Sequence, residues 1–463
     1  MILFIHRKDL RIHNLPALDA IRSAQCSSLH VLILDPFLLR NERNLEHSGV
    51  NFLQHVARLQ KQYSRLGKQL HIMYGEPAVV VNQLLLKHPI QEILYHADYT
   101  PYALKRDLEL QKLADSLKVK LTSYDEATLA DLQDFVDWSG RTEPYKVFTP
   151  FYRRWRTYIN ERFRPSYSAT LEELETVELA PDLLESFLPP EEINKQLEDM
   201  RNSLEADDEY GVLMHTLDHF LSERLNGYSI SHDQYAKEGT SRISHHLNAG
   251  SLSVRTIYEQ LMSMDGDTET WLRQLAWRDF YIYQARLDPN FFRYENVFDQ
   301  SELSTEHFQV WAEGCTGVPI IDAAMRQLNQ TGWMPNRLRM ITAMFLTKNL
   351  GCPFIYGERY FRLKLSDYDN VLNRGGWLWS SSLGFDASPY FRVMNPVTQS
   401  QTHDPDGTYL RRWMPELAHL SNKEIHLARP EAIVDLKSSR ALAIETYGRI
   451  LKTKETKKIG AFL

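Results

Sequence analysis

Residues 367–379 (DYDNVLNRGGWLW) hold the densest set of groups able to do chemistry in this chain. Two carboxylates (Asp367, Asp369), one amide (Asn373), a glycine pair (Gly375, Gly376) and two tryptophans (Trp377, Trp379) fall within it. Carboxylates and an amide can orient a polar heteroaromatic ligand through hydrogen bonds. A glycine pair lets the backbone turn tightly or approach a ligand closely. An indole can stack on a ring or carry an electron, and its N–H seeks a partner when buried. The competing reading is a core loop whose tryptophans only fill volume. Against it stands clustering, since seven of the nine tryptophans lie at or after Trp271. Within 270–287 (TWLRQLAWRDFYIYQARL), Trp271, Gln274, Arg278 and Tyr281 recur along one helical face with Trp277 at its edge. An amide and a guanidinium between aromatics make a poor core stripe and a good wall for a polar, aromatic ligand. Asn336 and Met340 lie one turn apart on a third segment, with Arg339 adjacent. Upstream, EGTSRISHHL (238–247) offers hydroxyls and backbone N–H groups at a helix start, which suits an anion; an ordinary helix cap is the alternative there.

The elements that must carry these groups are helical. Beyond Tyr210 every strong pattern has helical period. The 270–287 helix stops at Asp288-Pro289, the next runs from Pro319 to Gly332, and another has Pro335 at its first position and Gly351 just past its end. The N-terminal region differs. Apolar runs at 2–6, 29–35, 69–74, 92–96 and 119–124 are separated by helical stretches. Single helices between strands imply right-handed crossovers and a doubly wound, parallel five-stranded α/β sheet of Rossmann-like type. Its first turn, HRKDLRIHN, lacks a G-x-G-x-x-G fingerprint, although a crevice at the strand ends remains. The aromatic and basic block 143–155 reads as a packed anchor, and the Glu-, Asp-, Ser- and Pro-rich stretch 165–209 as a surface linker with one or two short helices. The expected division is an α/β domain at 1–127, a connector at 128–209 and an all-helical domain at 210–463.

Composition narrows the function. The net charge is −7, so nucleic acid would need a local basic patch. Cys26, Cys315 and Cys352 are far apart, which argues against disulfides, zinc and cysteine-ligated clusters; no metal centre is expected. The N-terminus reaches charged residues too early for a signal peptide, and no apolar run approaches membrane-spanning length. A soluble, cytoplasmic monomer with no membrane partner is expected.

Taken in order, RKDLRIHNLPAL, YKVFTPF, EGTSRIS, WLRQLAWRDFY, TGVPIIDAAMRQLNQTGWMPNRLRMITAMFL, GERYF and NRGGWLW…DASPYFR resemble the photolyase/cryptochrome family of flavoproteins, and within it the bacterial pyrimidine-dimer photolyases. The resemblance implies an α/β antenna domain, a connector and a helical domain holding FAD in a U-shaped conformation. It also implies light-dependent DNA repair, in which reduced FAD excited by near-UV or blue light donates an electron to a cyclobutane pyrimidine dimer flipped out of UV-damaged DNA. A damaged, poorly stacked step is the cheapest to unstack. By the same resemblance, Tyr228, Thr240, Ser241, Arg242, Ile243 and Ser244 hold the FAD diphosphate. Trp271, Arg278, Asn336, Arg339, Asp367, Asp369 and Asn373 line the cofactor, with Arg339 paired to Asp367 and Asn373 facing flavin N5. The dimer rests between Trp277 and Trp379 beside Asn336, Met340 and Gln274, Arg337 and Arg392 contact DNA phosphates, and Trp377 carries electrons to the flavin.

The chain departs from the family pattern in four respects. Gln274 replaces the dimer-binding glutamate, and Pro335 replaces a histidine. Beyond Trp377 the tryptophan relay meets Phe354 and a position near Ser301; Tyr356, Tyr360, Trp311 and Trp333 are candidate substitutes, or they only pack. Ala103 replaces a folate-holding glutamate, so a deazaflavin, a second flavin or no antenna is favoured over folate. The rival function is a cryptochrome-like blue-light photoreceptor without efficient repair. Gln274 and the altered relay favour it, whereas Asn373, a neutral amide where plant-type photoreceptors carry an acid, favours repair.

Overall fold

A computed structural model describes residues 1–141, 143–204 and 209–460. Five strands, β1 (Ile2–His6), β2 (Ser28–Leu34), β3 (His71–Tyr74), β4 (Glu92–His96) and β5 (Lys120–Tyr124), form one sheet in the order β3-β2-β1-β4-β5. Every pairing is parallel, with Ile2 opposite both Ser28 and Glu92. Helices α1 (Pro16–Ala24), α2 (His47–Arg65), α3 (Pro77–Lys87) and α4 (Pro101–Leu117) make the crossovers. Three of them open on proline, whose fixed φ suits a first turn. All five residues of β1 are buried, as a central strand covered on both faces requires. Leu3, Ile5, Val31 and Ile93 pack against Val80, Val81 and Leu84 of α3 and Leu110 of α4. Leu32 and Leu34 pack against Leu53, Val56 and Leu59 of α2. Each such side chain contributes about 1.5–3 kcal/mol on burial.

The sheet order reverses between β1 and β4, and the ends of these strands are stitched together by polar groups. His6 Nδ1 donates to Asp9 Oδ1 at 3.3 Å, and His96 Nδ1 donates to the other carboxylate oxygen. Tyr63 Oη lies 2.7 Å from His6 Nε2 and 2.6 Å from His30 Nδ1. Burial alone would raise the Asp9 pKa, but His96 and His6 hold it well below the usual carboxylate range.

The acidic stretch expected as a surface linker carries core residues instead. Leu171, Ile193 and Leu197 join the α2 core, Ala169 and Leu174 pack with Phe4, and Leu179 and Leu183 pack with Val80. Val177 N–H donates to Ser28 O at 2.9 Å. The charged residues that dominate its composition point outward, and its spaced leucines point in; average composition hides that alternation.

The chain falls into two compact units. The first comprises residues 1–142, 152–223 and 241–279; the second comprises 143–151, 224–240 and 280–463. Among the further helices of the first unit are α5 (Glu191–Ser203) and α6 (Glu269–Leu287), which begins there and stops before Asp288-Pro289. The second unit is built from α7 (Phe308–Glu313), α8 (Pro319–Thr331), α9 (Asn336–Met344), α10 (Phe354–Lys364), α11 (Asn370–Ser380) and α12 (Leu436–Gly460), with a π-helical turn at Phe345–Asn349. Gly332 closes α8 at φ +69, the left-handed stop its sequence called for. Pro335 is the extended cap before α9 rather than its first helical residue. No helix among the described residues is long and apolar enough to cross a membrane.

Candidate functional site

In the second unit, α9, α10 and α11 position most of the chemistry-bearing stretch. The Arg339 guanidinium donates to Met334 O at 2.8 Å and to Asp367 Oδ2 at 2.9 Å. Asp369, expected against the cofactor, caps α11, its Oδ1 accepting from Val371 N–H at 2.9 Å and Leu372 N–H at 3.0 Å. One turn on, Asn373 Nδ2 donates one of its two N–H groups to Glu358 O at 3.0 Å, which orients the amide and leaves its Oδ1 to accept from another group. Arg374 was missed by sequence reasoning. It is buried, bonds Glu358 and Glu295, and donates to Phe291 O at 3.2 Å, so it locks α11 onto α10. Burial raises the Glu358 pKa, and the Arg374 charge opposes that rise.

The glycine pair divides its labour. A Cβ on Gly375 would lie 2.3 Å from Tyr281 Cδ1, so this glycine admits a ring. A Cβ on Gly376 would meet nothing within 4 Å, so protein packing does not require it. Trp377 is buried against Phe361 and Trp311, and its Nε1–H has no hydrogen-bond partner among the described residues. Trp379 is half-buried, and its carbonyl accepts from Ser382 N–H at 3.2 Å and Ser388 N–H at 3.3 Å. Asn336 is exposed, with Nδ2 3.7 Å from Met340 Sδ on the same face of α9. Arg337 is ion-paired with Asp233, whereas Arg392 is exposed. Tyr228 is buried against the His232 ring, and Thr240 is half-buried after Gly239, where a Cβ would strike Ser231 O at 2.4 Å.

The first unit carries the remaining groups. Arg242 adopts φ +52 and Ile243 then returns to near-helical angles before Ser244 opens a short helix. Such a change of hand turns successive N–H groups to one side, the concavity that anions favour. Ser241 and Ser244 are half-buried and Ile243 is buried. On α6, Trp271 is buried with its ring 5.9 Å from that of Phe220, Gln274 is exposed, and Trp277 and Arg278 are half-buried. Arg278 donates to Ala127 O. Its neighbour Asp279 is fully buried and accepts from Leu129 N–H at 3.2 Å, Ala130 N–H at 2.9 Å and Trp155 Nε1–H at 2.9 Å. Burial pushes its carboxyl up to about 6. The sequence offers no signal for this anchor, because its partners lie more than a hundred residues away.

This architecture matches known proteins along most of its length. Residues 2–171 match the family described as DNA photolyase, and 271–457 match the FAD binding domain of DNA photolyase. The deoxyribodipyrimidine photo-lyase of Vibrio cholerae is 32% identical over 95% of this chain and 98% of its own. That of Escherichia coli is 31% identical over 97% and 98%. Among solved structures, a class III photolyase from Agrobacterium tumefaciens superposes with a TM-score of 0.81 at 28% identity, covering 97% of this chain and 98% of that one. An archaeal photolyase from Sulfolobus tokodaii, whose structure holds two FAD molecules, gives 0.79 at 27% identity over 97% and 100%. A Synechocystis cryptochrome gives 0.78 at 27% identity over 96% and 98%. The chain belongs to the photolyase/cryptochrome family, and its cofactor is FAD.

Proposed function

We propose that this protein is a deoxyribodipyrimidine photolyase acting on cyclobutane pyrimidine dimers in UV-damaged DNA, as a cytoplasmic monomer. When bound, reduced and excited by near-UV or blue light, FAD supplies the electron that opens the cyclobutane ring. The observation that carries the reading is Asn373. With Nδ2 donating to Glu358 O, it offers an oxygen acceptor, which suits the N5–H of a reduced flavin and cannot protonate it. The space beside Gly376 and the Arg339–Asp367 pair also fit a flat, polar ring system. In this reading Tyr228, Thr240, Ser241, Arg242, Ile243 and Ser244 hold the diphosphate, and Trp271, Arg278, Asn336 and Asp369 complete the cofactor contacts. Trp277 and Trp379 clasp the dimer beside Asn336, Met340 and Gln274. Arg392 meets a phosphate; Arg337 does so only by leaving Asp233. The functional division is antenna 1–127, connector 128–209 and catalytic 210–463. For a second chromophore we favour deazaflavin or flavin over folate, since the buried Ala103 has no carboxylate to offer at its own position on α4. Gln274 supports the rival photoreceptor reading, and the similarity to a cryptochrome keeps it in view. The test is direct: purified protein, once reduced, clears dimers from irradiated DNA under blue light and leaves them untouched in the dark. A flavin-loaded protein that repairs nothing under light favours the photoreceptor.

A further inference from the structure

We propose that light-driven reduction of the bound flavin draws its electron through a side branch of this chain, Trp377 to Trp311 to Tyr360. The inference rests on the FAD reading above and names the residues that feed that site. Beyond Trp377, the direction through Phe354 lacks a suitable carrier. Phenylalanine has no easily oxidised ring, and the Arg374 guanidinium carbon sits 5.0 Å over this one. A fixed cation opposes a positive hole there. Ser301, farther along, is exposed and has no ring.

The other direction is furnished at every step. Trp311 is fully buried, its ring centroid 6.1 Å from that of Trp377 in an edge-to-face arrangement. Phe361 fills the angle between them, 5.1 Å from Trp377 and 6.0 Å from Trp311. Trp311 Nε1–H donates to Thr342 O at 3.1 Å, so a carbonyl dipole faces any positive charge on the indole. Tyr360 comes next, 5.8 Å from Trp311 and half-buried. Its O–H donates to Asn329 Oδ1 at 2.6 Å, with Ala312 O at 3.1 Å. Asn329 Nδ2 donates to Ala312 O at 2.8 Å, which turns its oxygen toward the phenol. A hole is costly in the dry core around Trp377 and Trp311 and is stabilised where a phenol can shed its proton.

The steps balance. Trp377 gives one electron to oxidised flavin, Trp311 refills Trp377, and Tyr360 refills Trp311 while its half-buried phenol releases its proton to solvent. A thiol in solution returns a hydrogen atom to Tyr360, and two of the resulting thiyl radicals pair as a disulfide. Both indoles keep their N–H.

The test uses the full-length protein loaded with oxidised FAD, excited by blue flashes with dithiothreitol present. Flavin reduction is followed by absorbance and protein radicals by transient absorption and electron paramagnetic resonance. The wild-type protein should show a neutral tyrosyl radical. Tyr360→Phe should lose that signal and hold a tryptophan radical in its place. Trp311→Phe should retain FAD yet photoreduce severalfold more slowly with no tyrosyl radical. Chemically reduced samples of both variants should repair dimers normally, because flavin-to-lesion transfer does not use this branch. Wild-type photoreduction and an unchanged tyrosyl signal in Trp311→Phe and Tyr360→Phe overturn the proposal. A wild-type protein that holds no FAD overturns the cofactor reading, and the branch with it.

Discussion

At the residue scale, Gln274 separates holding a lesion from splitting it. Its carboxamide can donate and accept but cannot transfer its proton. Gln274→Glu should leave dark affinity for a dimer within a few fold and raise the splitting yield per photon. Gln274→Ala should cost about 1–3 kcal/mol of dimer binding by stranding base groups. Dark binding isotherms and single-flash repair yields measure the two effects separately. Lys348 gives a pH dependence. It is buried on the π-helical turn, donates to Ser382 Oγ and to Tyr390 O at 3.2 Å, and burial lowers its pKa to about 7 from 10.5. Between those values the unfolded chain binds a proton that the folded chain has released, so stability rises with pH across that window. Denaturant unfolding from about pH 7 upward should show this rise in the wild type and less of it in Lys348→Met. Asn373, Trp377 and Asp367 could be picked out beforehand because carboxylates, an amide and indoles crowd into one short stretch. Arg374, Asp279 and Lys348 could not, because a buried charge declares itself only through partners brought from distant elements.

At the scale of elements, the site depends on how closely α10 and α11 approach. A Cβ on Gly357 would lie 2.0 Å from Trp377 Cη2, so this glycine sets the gap that the indole fills. Gly357→Ala favours the helix itself by about 1 kcal/mol but should still destabilise the protein, overpacking costing roughly 1–3 kcal/mol. It should also displace Trp377 and slow photoreduction; thermal unfolding and flash absorbance check the pair. Helix existence was legible from apolar spacing and from the proline and glycine stops around α6, α8 and α9. The strands were legible to within two residues; the largely buried β1, β2 and β4 read as short apolar runs. The strap at 165–209 was not legible, since its few inward leucines are diluted by charge. The α10–α11 lock was equally hidden: Gly357 looks like any helical glycine until Trp377 is seen against it.

At the scale of the whole molecule, a net charge of −7 leaves DNA binding to a few local cations. Affinity should fall with salt, each phosphate contact contributing roughly −0.9 to the log–log slope on duplex DNA. Arg392→Ala should flatten that slope by about one, whereas Arg337→Ala should do less while Asp233 holds the guanidinium. Titrations of irradiated duplex at several salt concentrations decide between them. The division into units has a further consequence, for how the protein is made. Six segments alternate between the units, and the first is complete only when Asp279 has been added. Strand β5 ends at Tyr124, so the five strands are synthesised well before their unit has all its parts. On a ribosome adding about 5–20 residues per second, the nascent sheet waits on the order of ten seconds for Asp279 to secure Leu129 and Ala130. During that wait its apolar faces depend on whatever shields a nascent chain, so chaperone supply should govern the yield of this protein more than its final stability does.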